Sequence, residues 1–181
     1  MFAFLKNPLA RFLILFVLLY TGWYLLYELW INPNGKLDSL VINSSVWCTD
    51  HLLKLFGFVT FTTNSETIRT IGIDGTHGLW IGDPCNGITL FALFTSFLLA
   101  FPGPPLSKLW FIPSGVLAIF AVNVLRITGL CIVVKYKPSL LELNHDYIFK
   151  IVVYAFIFWL WIIWVNRFSG ISLTGKKNER H

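Results

Sequence analysis

Three residues of this chain could, between them, break a peptide bond: Cys85, Arg126 and His145. A thiolate attacks a carbonyl and divides one hard step into two by way of a thioester. A guanidinium in a low-dielectric setting stabilises the oxyanion formed on the way, and its planar, multi-donor head suits that task better than an ammonium. An imidazole returns a proton to the departing amine near neutral pH. Two amides accompany the three. Asn86 follows the cysteine directly. Asn123 precedes the arginine by three residues, which puts Asn123 and Arg126 on one face of a helix.

Taken singly, each residue has a plainer duty. Cys85 can be a small apolar filler, Arg126 can snorkel to lipid head groups, and His145, between Asn144 and Asp146, can be an ordinary loop histidine. The setting of Cys85, Gly82-Asp83-Pro84-Cys85-Asn86-Gly87, argues for more. Asp83 can cap a helix, and Pro84 suits the first helical position. Cys85 then falls in the first turn, where unpaired N–H groups and the helix dipole favour a thiolate, although the charge of Asp83 opposes it. Alternatively, the helix starts after Gly87 and Cys85 lies in a loop. Asn123 and Arg126 projecting together imply a wet or protein-lined site rather than lipid. His51 and His77 are taken as structural or solvated.

The elements that must position these residues are apolar spans. Four runs approach the roughly 20 residues needed to cross a bilayer: residues 10–31, 85–101, 109–134 and 147–165. Pro102-Gly103-Pro104-Pro105 is a strong stop after the second. The first run is too long for the apolar region of a signal peptide and no small-x-small site follows it, so it is expected to be retained. Between the first two spans, Leu40–Phe58 mixes apolar residues with Asp50, His51 and Lys54, as an amphipathic helix at an interface would. Thr60–Ile81, rich in Thr, Ile and Gly with an Asp74-Gly75 turn, is expected to form a small hairpin. The expected architecture is an all-α integral membrane protein: one domain, 1–181, with four transmembrane helices, and an extracytoplasmic amphipathic helix and small β-hairpin between the first two.

Charge sets the orientation. Lys6, Arg11, Lys108, Arg167, Lys176, Lys177 and Arg180 fall on one side of a four-span chain, whereas residues 32–84 hold three basic residues against five acidic ones. The positive-inside rule puts both termini in the cytoplasm and the 32–84 stretch outside. Lys108 to Arg126 covers about 27 Å of helix, and a bilayer core is about 30 Å thick. Arg126 therefore lies near the outer end of its span. Cys85 opens the second span, and His145 precedes the fourth, at the same face.

Composition excludes other classes. The 181 residues are 56% hydrophobic and 13% charged, too apolar for a soluble core of this size. The net charge of +5 does not indicate nucleic-acid binding, because the basic residues cluster at span ends. The cysteines are Cys48, Cys85 and Cys131, with no CxxC, which leaves a thiol oxidoreductase or zinc ribbon unsupported. Cys48 and Cys131 are fillers or a disulfide; the sequence leaves both open. A metal carrier using Cys85, His145 and His77 lacks ligand spacing, and Arg126 would repel the cation. No cofactor is expected. A non-enzymatic membrane scaffold is the main rival to an enzyme, and for it Cys85→Ala would be harmless.

Gly82–Gly87 opening a span, Asn123-Val124-Leu125-Arg126-Ile127 ending the next, and a histidine before the last resemble the exosortase/archaeosortase family, specifically over about residues 80–165. The length resembles that of a short bacterial subtype, the one called exosortase F. The resemblance implies a membrane-embedded cysteine transpeptidase in the bacterial cytoplasmic membrane, with Cys85 as nucleophile, Arg126 as oxyanion stabiliser and His145 as acid/base. Asn86 and Asn123 would support the site or the substrate. Implied partners are exported proteins with a C-terminal tail (a motif, an apolar span and a basic cluster) and an amine acceptor, a membrane lipid or another amine.

Overall fold

Asn7 starts the first helix: its side chain accepts the N–H of Leu9 at 3.0 Å, and Pro8 takes the first helical position, where a missing N–H costs nothing. The computed structural model describes residues 7–63 and 69–169, and the backbone alone of Pro84, His145 and Asp146. The terminal residues Lys6, Lys176, Lys177 and Arg180 lie outside the described residues.

Helix α1 (Pro8–Leu26) runs through a π-helical turn (Tyr27–Ile31) and a short α2 (Asn32–Asn34), making one rod of 27 residues. Gly35, in the left-handed region at φ +61°, ends the rod and turns the chain into α3 (Lys36–Leu55). At the far end of α3, Gly57 N–H bonds Lys54 O at 2.9 Å and Phe58 N–H bonds Leu53 O at 3.0 Å. This is the Schellman pattern, sealed by packing of Phe58 into the core that holds Leu53.

Strands β1 (Thr60–Thr62), β2 (Thr70–Ile73) and β3 (Leu79–Trp80) form an antiparallel sheet in the order β1-β2-β3. The expected hairpin is thus three-stranded: the Asp74-Gly75 turn lies between β2 and β3, and β1 pairs on the other edge, Phe61 opposite Gly72. Gly72 cannot be larger, because a Cβ there would stand 2.6 Å from the Gly78 Cα. Residues 64–68 of the expected hairpin lie outside the described residues.

Helix α4 (Ile88–Ala100) leads to α5 (Pro105–Tyr136), and a short α6 (Leu141–Leu143) and a π-helical turn (Asn144–Ile148) lead to α7 (Phe149–Arg167). Among the described residues, three helices are long and apolar enough to cross a membrane: Pro8–Asn34, Pro105–Tyr136 and Phe149–Arg167. The run expected as a span over 85–101 is instead a helix of 13 residues, about 20 Å long against a hydrocarbon core of about 30 Å. Its shortness has a backbone cause. Gly87 adopts φ +86°, which no right-handed helix allows, and Phe101 is extended before Pro102.

The helices pack through glycines. A Cβ on Gly115 would stand 2.2 Å from the Phe94 ring of α4, and one on Gly129 would stand 2.8 Å from the Phe149 ring of α7. Small residues that let aromatic rings approach a backbone are how membrane helices associate without a hydrophobic driving force. The sheet and α3 form a cap on the last turns of α5. Ile71 and Ile73 share a core with Ile127 and Cys131, and Lys135 Nζ donates to Asp74 O at 2.7 Å.

Candidate active site

Cys85 lies in a 3₁₀ turn, Asp83–Cys85, ahead of α4 rather than in its first helical turn. Its N–H bonds Gly82 O at 2.9 Å, and the Asn86 N–H bonds Asp83 O at 3.2 Å. Of the two starts the sequence allows, the structure has the later one, after Gly87. Asp83 caps nothing. Its carboxylate instead takes the Arg69 guanidinium at 2.7 Å, so the negative charge two residues before Cys85 is balanced by a cation just ahead of β2.

Helix α5 supplies the other half of the site. Asn123 and Arg126 are one turn apart on its buried face, as the spacing requires. Asn123 Nδ2 donates to the Cys85 carbonyl at 3.1 Å, and Arg126 Nη2 stands 3.9 Å from Cys85 Sγ. Arg126 is only 8% exposed and, among the described residues, forms no ion pair with a carboxylate. A buried cation normally finds an anionic partner, and the group facing this one is a thiol. Its Nε and the Asn123 Oδ1 are buried and meet no hydrogen-bond partner among the described residues.

The structure therefore brings Cys85, Asn86, Asn123 and Arg126 into one layer. His145 is carried by the π-helical turn Asn144–Ile148, at the start of α7; its side chain lies outside the described residues. One helical turn further along, Phe149 packs on Gly129, three residues beyond Arg126 on α5. His51 stacks near Trp47, with ring centroids 4.1 Å apart, on α3, and His77 lies in the β2–β3 connection. None of Cys48, Cys85 and Cys131 is in a disulfide. Cys131 fills the cap core. Among the described residues no cluster of His, Cys, Asp or Glu could hold a metal.

Three residues of this layer are not apparent from motifs: Tyr27, Asp38 and Arg69. Asp38 is 1% exposed and takes hydrogen bonds from the Tyr27 hydroxyl and from Asn86 Nδ2, the latter at 2.6 Å. One signal for Asp38 was available. It lies on the helical stripe shared by Ile42, Val46, Thr49 and Leu53, where an acid is out of place. Beside the layer an apolar groove of about 520 Å³ opens between α1, α3 and α4, walled by Gly22, Leu26, Val41, Ile88 and Phe91 among others.

A family model described as transmembrane exosortase matches residues 2–166. The chain belongs to the transmembrane exosortase family. The match takes in α1, α3 and the sheet as well as the motif-bearing half of the chain, so Tyr27, Asp38 and Arg69 fall within the family's domain along with Cys85 and Arg126. No curated protein sequence and no solved structure matches this exosortase-family chain.

Proposed function

We propose that the chain is a cysteine transpeptidase that removes C-terminal sorting tails from exported proteins, in the manner of the short subtype called exosortase F. The observation that carries this reading is the buried Arg126 guanidinium 3.9 Å from Cys85 Sγ, with no carboxylate paired to it among the described residues. In this reading the Cys85 thiolate attacks the scissile carbonyl. A C–S bond forms, and the carbonyl electrons move onto an oxygen held by Arg126. The C–N bond then breaks, and His145 gives the departing amine its proton. An amine acceptor, from a membrane lipid or another molecule, attacks the thioester; the C–S bond breaks and the thiolate leaves. The now neutral His145 takes the proton the amine gives up, while water in place of the amine gives hydrolysis.

The proposed setting is the bacterial cytoplasmic membrane, with α4 as a short fourth crossing, both termini cytoplasmic and the cap outside. The apolar groove, whose lining includes Ile88, three residues from Cys85 in sequence, is a surface on which the apolar part of a tail can lie. The deciding experiment is Cys85→Ala in cells that make a tail-bearing substrate. Full-length substrate should accumulate while the variant remains inserted and folded, and Cys85→Ser should be nearly as inactive. Normal processing by Cys85→Ala would overturn the enzyme reading in favour of a membrane scaffold.

A further inference from the structure

A carboxylate with 1% exposure, on the stripe of α3 that otherwise carries Ile42, Val46 and Leu53, costs stability unless its hydrogen bonds repay it. Both of the bonds Asp38 makes go to one oxygen. Oδ1 accepts from the Tyr27 hydroxyl and from Asn86 Nδ2, while Oδ2 is buried and meets no hydrogen-bond partner among the described residues. Asn86, itself 2% exposed, is used at both ends of its amide. Its Nδ2 goes to Asp38, and its Oδ1 accepts the N–H of Ile88, the first residue of α4, at 2.8 Å.

Asp38 Oδ1 accepts from both donors, the Tyr27 hydroxyl and Asn86 Nδ2. It therefore dictates which end of the Asn86 amide faces α3, and so which end is left for Ile88. On the other side of the turn, Asn123 holds the Cys85 carbonyl. The short backbone segment bearing the thiol is thus pinned from α5 on one side and, through Asn86, from α3 on the other. The π-helical turn contributes as well. It begins at Tyr27, the residue whose hydroxyl meets Asp38, and π turns are frequent where a side chain must be re-aimed at a functional site.

We infer that Asp38 is a positioning residue: through Asn86 it fixes the turn that presents Cys85 to Arg126, and Tyr27 holds Asp38 in place for that task. The inference rests on the proposed function for its catalytic meaning, and on the geometry alone for the fixing of the turn.

The test uses the full chain in lipid nanodiscs, with two readings. Deuterium exchange followed by mass spectrometry reports the amides of residues 83–90, and processing of a tail-bearing substrate reports kcat and KM. Loss of a buried side-chain hydrogen bond should open the turn, so Asp38→Ala should speed exchange over 83–90 by about tenfold, while exchange in β2 and α7 stays as in the parent. It should lower kcat by a similar factor and leave KM unchanged. Asp38→Asn, whose carbonyl can still accept both bonds, should recover most of both readings. In an Asn86→Ala background, Asp38→Ala should add nothing further.

The inference is overturned if exchange over 83–90 does not change, if it rises equally throughout the molecule, or if the two substitutions act additively. Should Asp38→Ala fail to fold, Tyr27→Phe must show the same local pattern at a smaller size. A parent protein that processes no substrate would sink the proposed function, and the exchange reading would still decide whether Asp38 fixes the turn.

Discussion

Around the sheet, Ile42, Val46, Leu53, Ile71, Ile73 and Ile81 pack with Ile127 and Cys131 of α5. Between α4, α5 and α7, the buried residues include Phe94, Phe111 and Trp164, with Phe97 stacked on Trp161 at 4.2 Å. The buried residues of the first core are aliphatic, whereas the second mixes aromatic rings with Leu, Ile and Val, and their polar content differs as well. Among the described residues, the buried Asp38, Ser45, Thr49, Asn86, Asn123, Arg126 and Thr128 all lie in or beside the cap; Ser96 alone lies deep in the bundle. Against lipid, apolar burial gives no driving force, so bundle helices hold together by close ring-on-glycine contact. The cap tolerates buried polar groups where hydrogen bonds answer them. The candidate site lies where polar groups are buried, and the helical bundle is the frame beneath it.

That division can be broken most directly at Arg126. Arg126→Ala should cost about 100- to 1,000-fold in processing rate, the usual cost of one lost oxyanion donor, and Arg126→Lys should be nearly as damaging because an ammonium lacks the planar fork. Thermal unfolding in detergent would show whether stability moved too. Activity retained by Lys would reduce Arg126 to a point charge or an anchor.

Gly115 tests the frame from the other side. A methyl group there meets the Phe94 ring at 2.2 Å, so Gly115→Ala should destabilise the bundle by about 1–3 kcal/mol. Thermal unfolding reads that loss, and the processing rate per folded molecule should hold. A fall in rate with unchanged stability would show that the bundle does more than support the cap.

Arg69→Gln sharpens the comparison within the cap. It leaves the Asp83 charge unanswered beside Cys85. Because both partners are partly exposed, the stability cost should stay below about 1 kcal/mol. The specific effect should be slower alkylation of Cys85 by a thiol reagent, measured after Cys48 and Cys131 are replaced. Unchanged alkylation would mean that the ion pair serves only the sheet.

The smallest effect is expected at Asp50. Burial raises the pKa of its carboxyl, but hydrogen bonds from Lys54 and Thr60 outweigh that and hold it below the ordinary value. A depressed folded pKa contributes stability above the unfolded value, about 3.9, and loses it as pH falls through the folded one. Cap unfolding should therefore become easier below about pH 4, by about 0.5 kcal/mol for one exposed i,i+4 pair. Asp50→Asn should flatten that part of the profile in a pH series of melts.

How much of this was legible in the sequence depended on the range of the contact. Asn123 and Arg126 share a face because helical spacing demands it, and the apolar runs of α1, α5 and α7 announce themselves. The bounds of the second run were not legible, because apolar composition continues through 85–101 while the helix begins only after Gly87: a positive φ there is a property of conformation, not of hydropathy. The sheet's third strand depends on pairing β1 with β2 across the intervening residues, and strand pairing is a non-local contact that no residue type in β1 announces. Asp38 and Asn86 are 48 positions apart, and no local period links them. The π turn at Tyr27–Ile31 compounds this, since one extra residue rotates everything after it by about 100° relative to a regular helix.

The short α4 has a consequence for the lipid around it. Its 13 residues reach about 20 Å, and α5 beside it, with 32, reaches about 48 Å. If both ends of α4 meet water, the hydrocarbon layer along that flank must thin by about 10 Å from its usual thickness. Such a dimple would put the Cys85 turn at the floor of a hollow in the bilayer. A neighbouring helix of ordinary length, entering the hollow, would leave the end of its apolar stretch standing out of the lipid, and tilting or sliding to relieve that mismatch would carry that end toward the thiol.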